Sequence, residues 1–322
     1  MAENKTNTAA GAGQAPVKLT KEMFHVRGTS KKNMESISRP NISFWQDAWR
    51  RLKKNKFAFA GLCIIIVYGL LAVFAPIFSQ YSYSDMDVMA MNALPSAKHW
   101  LGCDSMGRDL WVRVWMGARV SLTIGLAAAT INMCVGSLIG GFCGYYGGRL
   151  DMIVMRIVDI LYGIPSLIVT ILVMVVMGTG MKTLIVAMCI VGWIGTCRFA
   201  RGEVYRLKNQ DFVAAAKLLG VPDYKIIVRD ILPNILGMLV TNLCLAIPQA
   251  IFQEAFLSYI GLGIAAPGSS WGVLAKEGIK YLRIAPHEII IPAFFICTTM
   301  LALTLLGDGL RDAVDPRMRG TE

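Results

Sequence analysis

The sequence predicts an all-α integral membrane protein with six transmembrane helices and both termini on the cytoplasmic side. Three observations carry this. The 322 residues are 55% hydrophobic and only 16% charged, whereas soluble domains carry about 25% charged residues. Six apolar stretches, near 57–79, 119–143, 153–177, 183–200, 235–257 and 288–307, approach the ~20 residues that cross a bilayer. Lysine and arginine gather in alternate connecting segments, and the positive-inside rule then places residues 201–233 and both termini in the cytoplasm.

Residues 1–42, poor in large apolar side chains, read as a disordered basic cytoplasmic tail. Over 43–56, Phe44, Trp45, Trp49 and Leu52 recur at helical spacing among Arg50, Arg51, Lys53, Lys54 and Lys56. This predicts an amphipathic helix in the membrane interface; the same charges also serve as an orienting flank. Residues 57–322 form the transmembrane domain. No cleavable signal peptide is visible, since the first apolar run begins only at Phe57.

The loop after the first span holds His99, Cys103, Asp104 and Asp109. No second histidine stands at ligand spacing, which disfavours a metal site. Gly102 and Gly107 suggest a tight turn, and Asp109 a helix cap ahead of Trp111 and Trp115, which suit an interfacial aromatic belt. The other seven cysteines lie in apolar runs as small hydrophobes. Gly136, Gly140 and Gly144 repeat every fourth residue, the spacing that lets helices approach closely in lipid. A phosphate cradle would need a lysine and a strand–loop–helix setting, both missing here.

Arg156 and Asp159 stand one helical turn apart and can pair, and Pro165, Pro248 and Pro292 are expected to bend spans three, five and six. Glu254 falls near the outer end of span five, and no ionisable residue stands clearly at mid-membrane, where ion-coupled carriers keep theirs. There is no P-loop motif, so energy for uphill transport must come from another chain. The net charge of +11 is spread between apolar runs, and no nucleic-acid motif accompanies it.

Residues 211–233 read as a cytoplasmic hairpin of two short amphipathic helices. Asp211 is expected to cap the first, and Ala214, Ala215 and Ala216 favour helix and leave its surface flat. Gly220 suits the left-handed position that ends it. After Val221, Pro222 suits the first turn of the second helix and Asp223 faces its positive end. Tyr224, Ile227, Val228 and Ile231 are expected to line one side, and Pro233, after Leu232, to break the helix before span five. Such a hairpin either rests on lipid or holds a partner.

Ala215-Ala216, then Gly220, then Leu232-Pro233 resemble the EAA loop of ABC-importer permeases. His99-Trp100-Leu101-Gly102, Gly107-Arg108-Asp109-Leu110 and Gly117-Ala118-Arg119-Val120-Ser121-Leu122 resemble the dipeptide, oligopeptide and nickel branch, in its C-type second permease subunit. So do Glu254 to Gly263, Ser270-Trp271-Gly272, Gly307 to Asp312 and Asp315-Pro316-Arg317. The resemblance runs from about residue 43 to 319. It implies the type I ABC importer permease fold in a multi-pass protein of the bacterial plasma membrane. It implies a second homologous permease, two ABC ATPases that bind ATP and Mg, and an extracytoplasmic solute-binding protein, with no cofactor on this chain. The hairpin would dock on an ATPase as a rigid lever. Ala214 replaces the glutamate that names the loop, which removes one charge-assisted contact. Dipeptides or oligopeptides are the implied cargo, with nickel or another small solute as the alternative. A stand-alone carrier or a membrane scaffold are the rivals of another class.

Overall fold

The computed structural model describes residues 44–265 and 268–314. The expected tail over 1–42 and the Asp315-Pro316-Arg317 motif lie outside the described residues, as do the side chains of Phe44 and Trp45. Among the described residues the chain is helical, with one isolated antiparallel bridge between Cys103 and Asp109 and no strand.

Among the described residues, five uninterrupted helices are long and apolar enough to cross a membrane: Lys56–Phe78, Leu110–Tyr146, Met181–Leu207, Leu236–Tyr259 and His287–Val314. The expected third span differs. It is broken into Gly148–Tyr162 and Ser166–Met177, which meet at 81° and make a sixth span if counted together. The break falls at Gly163 to Pro165, because proline removes a backbone donor and disfavours helix in the residue before it. Pro248 and Pro292 lie inside helices that continue through them.

The second span is longer than its apolar run, because Asp109 caps it eleven residues before Val120: its carboxylate accepts from the Val112 N–H at 3.0 Å. Gly136, Gly140 and Gly144 face the fourth span. A Cβ on Gly136 would lie 2.6 Å from the Trp193 carbonyl oxygen, and one on Gly144 2.6 Å from that of Arg201. A Cβ on Gly140 would crowd the Cys197 carbonyl oxygen more closely still. These backbones touch, which maximises dispersion where lipid offers no hydrophobic drive.

The first span contains Pro76, so the Ala72 carbonyl four residues back loses its helical donor. Arg119 of the second span replaces it. Its Nε and Nη2 donate to the Ala72 carbonyl at 3.2 and 3.0 Å, and Nη2 also to that of Val73 at 3.2 Å. Tyr68 of this span and Thr298 of the last share a hydroxyl hydrogen bond of 2.9 Å.

Glu254 is fully buried in the fifth span. Ser121 and Ser258 donate to its two carboxylate oxygens at 2.8 and 2.7 Å, and the Trp271 N–H donates to Ser121 Oγ at 3.3 Å. Spans two and five and the short helix Trp271–Gly278 are thus joined through one carboxylate. Asp159 pairs with Arg198 of the fourth span rather than with Arg156; Arg198 also lies 4.3 Å above the Tyr162 ring, which favours that partner. The surface helix is Phe44–Lys54, and its Leu52 packs against Ala58 and Leu306 while Trp49 is exposed.

Candidate functional site

The hairpin is built at the end of the bundle where spans two and four finish and span five begins. Its first arm is the helix Asp211–Leu218. Asp211 is its first residue rather than its cap; Gln210 holds the cap position without a side-chain bond. Asp211 still faces the positive helix end. The arm closes with two backbone bonds, Gly220 N–H to the Lys217 carbonyl at 3.0 Å and Val221 N–H to that of Ala216 at 3.1 Å. This is the Schellman arrangement. It sets Gly220 at φ +72°, where L side chains are strained.

Pro222 caps the second arm from the position just before its first turn. The arm departs from the expected short α-helix. Asp223–Lys225 is α-helical, Ile226–Ile231 is widened to a π-helix, and Leu232–Asn234 returns to α. The widening precedes Pro233, whose ring would crowd the Arg229 carbonyl in a regular turn. Pro233 therefore stays inside the helical run, and the break falls at Ile235. The wider turn also changes which residues face inward. Ile226, Ile227 and Ile231 are fully buried, whereas Tyr224 and Val228 are exposed.

Those isoleucines, with Val213 of the first arm, form one core with Tyr145 of span two, Ala200 and Val204 of span four and Leu239 of span five. Leu232 and Ile227 fit over Gly141, where a Cβ would lie 3.3 and 3.5 Å from them. The Tyr145 hydroxyl donates to Asp223 Oδ1 at 2.6 Å, and the Lys217 ammonium lies 4.8 Å from the same ring's centre. One tyrosine thus holds both arms. The sequence reading missed it, because nothing local to Tyr145 marks a partner 78 residues away.

The opposite face of the hairpin is bare. Leu218 and Leu219 at its tip are 90% and 82% exposed. Ala214 and Ala215 are exposed and Ala216 half-buried. An ordered loop that buries four branched residues and presents two leucines outward has the form of a docking surface.

At the other end, the loop residues weighed above as a metal site are committed to one another. His99 Nδ1 and Asp109 Oδ2 lie 2.8 Å apart. Asp104 accepts from Arg108 Nε at 2.7 Å, and Arg108 and Arg113 both donate to Glu277 Oε2, at 3.0 and 2.9 Å. Among the described residues no cluster of histidine, cysteine and carboxylate groups could hold a metal ion. Gly102 and Gly107 have φ of +79° and +73°, the turns that fold this loop.

The chain is similar to known transport proteins. Residues 136–320 match the family described as the binding-protein-dependent transport system inner membrane component. Residues 43–95 match the N-terminal TM domain of oligopeptide transport permease C. The dipeptide transport system permease protein of Bacillus subtilis is 46% identical over 300 residues, 92% of this chain and 93% of that protein. The oligopeptide transport system permease protein of the same organism is 45% identical over 301 residues, 94% of this chain and 99% of that one. That of Escherichia coli K12 is 39% identical over 299 residues, 90% and 99% of the two chains.

Proposed function

Since the chain belongs to the family of binding-protein-dependent transport system inner membrane components, we propose that it is the C-type permease subunit of an ATP-driven importer of dipeptides or oligopeptides, coupled to cytoplasmic ATPases through residues 211–233. It is a multi-pass membrane protein, placed in the bacterial plasma membrane with the hairpin and both termini cytoplasmic. A second homologous permease completes the path, two ABC ATPases bind ATP and Mg, and an extracytoplasmic binding protein delivers the peptide. This chain itself catalyses no reaction and binds no cofactor.

The observation that carries the coupling role is the two-sided hairpin. Its inner side is fixed to three spans by a buried core and by Tyr145, and its tip bares Leu218 and Leu219. A surface that moves with an ATPase must be stiff, or the motion dissipates in the loop. Both arms here are clamped, so displacement of the tip displaces the ends of spans two, four and five. ATP shifts the spans only by binding differently to their two arrangements, and the tip is where that difference enters. Ala214 is exposed and offers no carboxylate, so docking rests on apolar and backbone shape rather than on that charge.

The test is reconstitution. The chain in liposomes with its second permease, two ATPases and binding protein should take up labelled dipeptide or oligopeptide only with ATP inside. Uptake by this chain alone would make it a stand-alone carrier. ATP-dependent uptake of nickel without peptide uptake would replace the cargo and keep the rest.

A further inference from the structure

At the end of the first span away from the hairpin lies an open cavity of about 500 Å³, walled by Leu71, Phe74, Phe78, Trp100 and Trp111, with Lys98 on its rim. The first span rises about 35 Å over its 23 residues, slightly more than the ~30 Å hydrocarbon layer. Its last turn, and the cavity beside it, therefore lie at the boundary between acyl chains and headgroups.

Three features give the cavity a direction. Phe74, Ile77 and Phe78 are exposed along the span, so the apolar wall continues from a lipid-facing ridge. Trp100 and Trp111 stand edge to face, with ring centres 5.1 Å apart, and add two amphipathic aromatic rings to its wall. Besides Asp109, the polar lining is Ser79, Gln80, Tyr81 and the exposed Lys98 ammonium, which also lies 3.8 Å from Asp87 Oδ2. Asp109 touches the cavity, but its carboxylate is already held by His99 and the Val112 N–H.

We propose that this cavity is a binding site for an anionic phospholipid of the outer leaflet, with an acyl chain against Leu71, Phe74 and Phe78 and the phosphate at Lys98. The proposal rests on the orientation given above, since only that reading puts this end outside. Apolar and aromatic walls with one exposed cation beside them match a phosphodiester headgroup on a hydrocarbon chain, and the exposed ridge of the span continues from those walls. A bound lipid would brace the link between spans one and two, where Arg119 already bridges the two helices.

The test is photo-crosslinking of the assembled complex in nanodiscs containing phosphatidylglycerol with a diazirine-bearing acyl chain. Cross-links mapped by mass spectrometry are expected to concentrate on residues 71–81 and 97–111 relative to exposed Leu126 and Ile131 of span two. Lys98→Glu should lower labelling by phosphatidylglycerol by at least about five-fold, since loss of one cation near an anionic surface alone has that effect, and leave phosphatidylcholine labelling unchanged; Lys98→Arg should retain it. Glycerol phosphate, which carries the headgroup without chains, should not compete; competition would make the ligand a soluble phosphate ester and overturn the proposal. So would uniform labelling of all lipid-facing helices, indifference to Lys98→Glu, or cross-links joining Trp100 to the second permease or the binding protein. Labelling requires no transport, so failure here leaves the permease reading intact, and failed uptake with labelling retained refutes only that reading.

Discussion

The Tyr145 hydroxyl donates to the Asp223 carboxylate across 2.6 Å, joining the last turn of the second span to the first turn of the hairpin's second arm. Tyr145 is buried, its ring lies beneath the Lys217 ammonium, and the Lys208 ammonium reaches its backbone carbonyl at 3.5 Å. Through Gly136, Gly140 and Gly144 the same span is fused to the fourth. The tyrosine therefore stands where a displaced hairpin must pull on the bundle.

Tyr145→Phe keeps the ring beneath Lys217 and removes only the hydroxyl. A hydrogen bond to a charged group contributes about 1.5–3 kcal/mol, enough to let the second arm loosen without unfolding the spans. We expect the variant to insert and assemble, to hydrolyse ATP, and to take up several-fold less peptide per ATP. Amide exchange over 223–234 should rise in parallel. An unchanged ratio of uptake to hydrolysis would remove this bond from the coupling route.

Gly220 separates backbone geometry from contact. A Cβ there would meet nothing within 4 Å, yet φ is +72°. Any loss on substitution thus reports strain in the turn, about 1–2 kcal/mol for alanine. Gly220→Asn should keep ATPase co-purification near the parent level, since asparagine visits this region. Gly220→Val should reduce it most and uncouple hydrolysis from uptake with insertion intact. If valine couples normally, the turn does not act as part of a lever.

These two residues mark what the sequence could and could not disclose. Gly220 was legible because a positive φ is a demand made by the turn itself, and the four-residue glycine repeat because helix periodicity alone puts those positions on one face. The apolar runs gave five spans outright. The partner of Tyr145, the choice of Arg198 by Asp159 and the serine set around Glu254 are tertiary pairings, fixed only when distant helices are placed. The π-widened turn was hidden for another reason. Ordinary helical spacing groups Tyr224, Ile227, Val228 and Ile231, and one inserted residue in the turn moves the buried set to Ile226, Ile227 and Ile231.

Cys103 is fully buried beside Asp109, Asp104 and Asp87. Burial first, and those carboxylates next, push its thiol up to about 11 from an ordinary value of 9.0. The thiolate fraction at pH 8 is then about a hundredth of that of an unperturbed cysteine, so maleimide should modify Cys103 about a hundred-fold more slowly than an engineered cysteine at exposed Met89. The linkage has a definite sign. Between pH 9 and 11 the unfolded chain releases this proton and the folded chain keeps it, so stability falls as pH rises through that window and is unaffected below it. Rapid labelling at pH 8 in the folded protein would contradict the burial.

Arg119 and Pro76 form a pair whose energies should not add. Arg119→Ala leaves the Ala72 and Val73 carbonyls without their guanidinium donor, and proline cannot supply the missing N–H. An unpaired buried carbonyl costs about 1–3 kcal/mol. Pro76→Ala alone should be nearly neutral, because the restored N–H of residue 76 and the guanidinium then share one acceptor with two lone pairs. In the double variant the backbone donor serves Ala72 in place of arginine, so much of the loss from Arg119→Ala should be recovered. A double-mutant cycle on thermal unfolding in detergent is expected to give a coupling of about 1 kcal/mol or more. Strict additivity would mean that Arg119 holds the first span by its aliphatic stem and not by serving the carbonyl that proline frees.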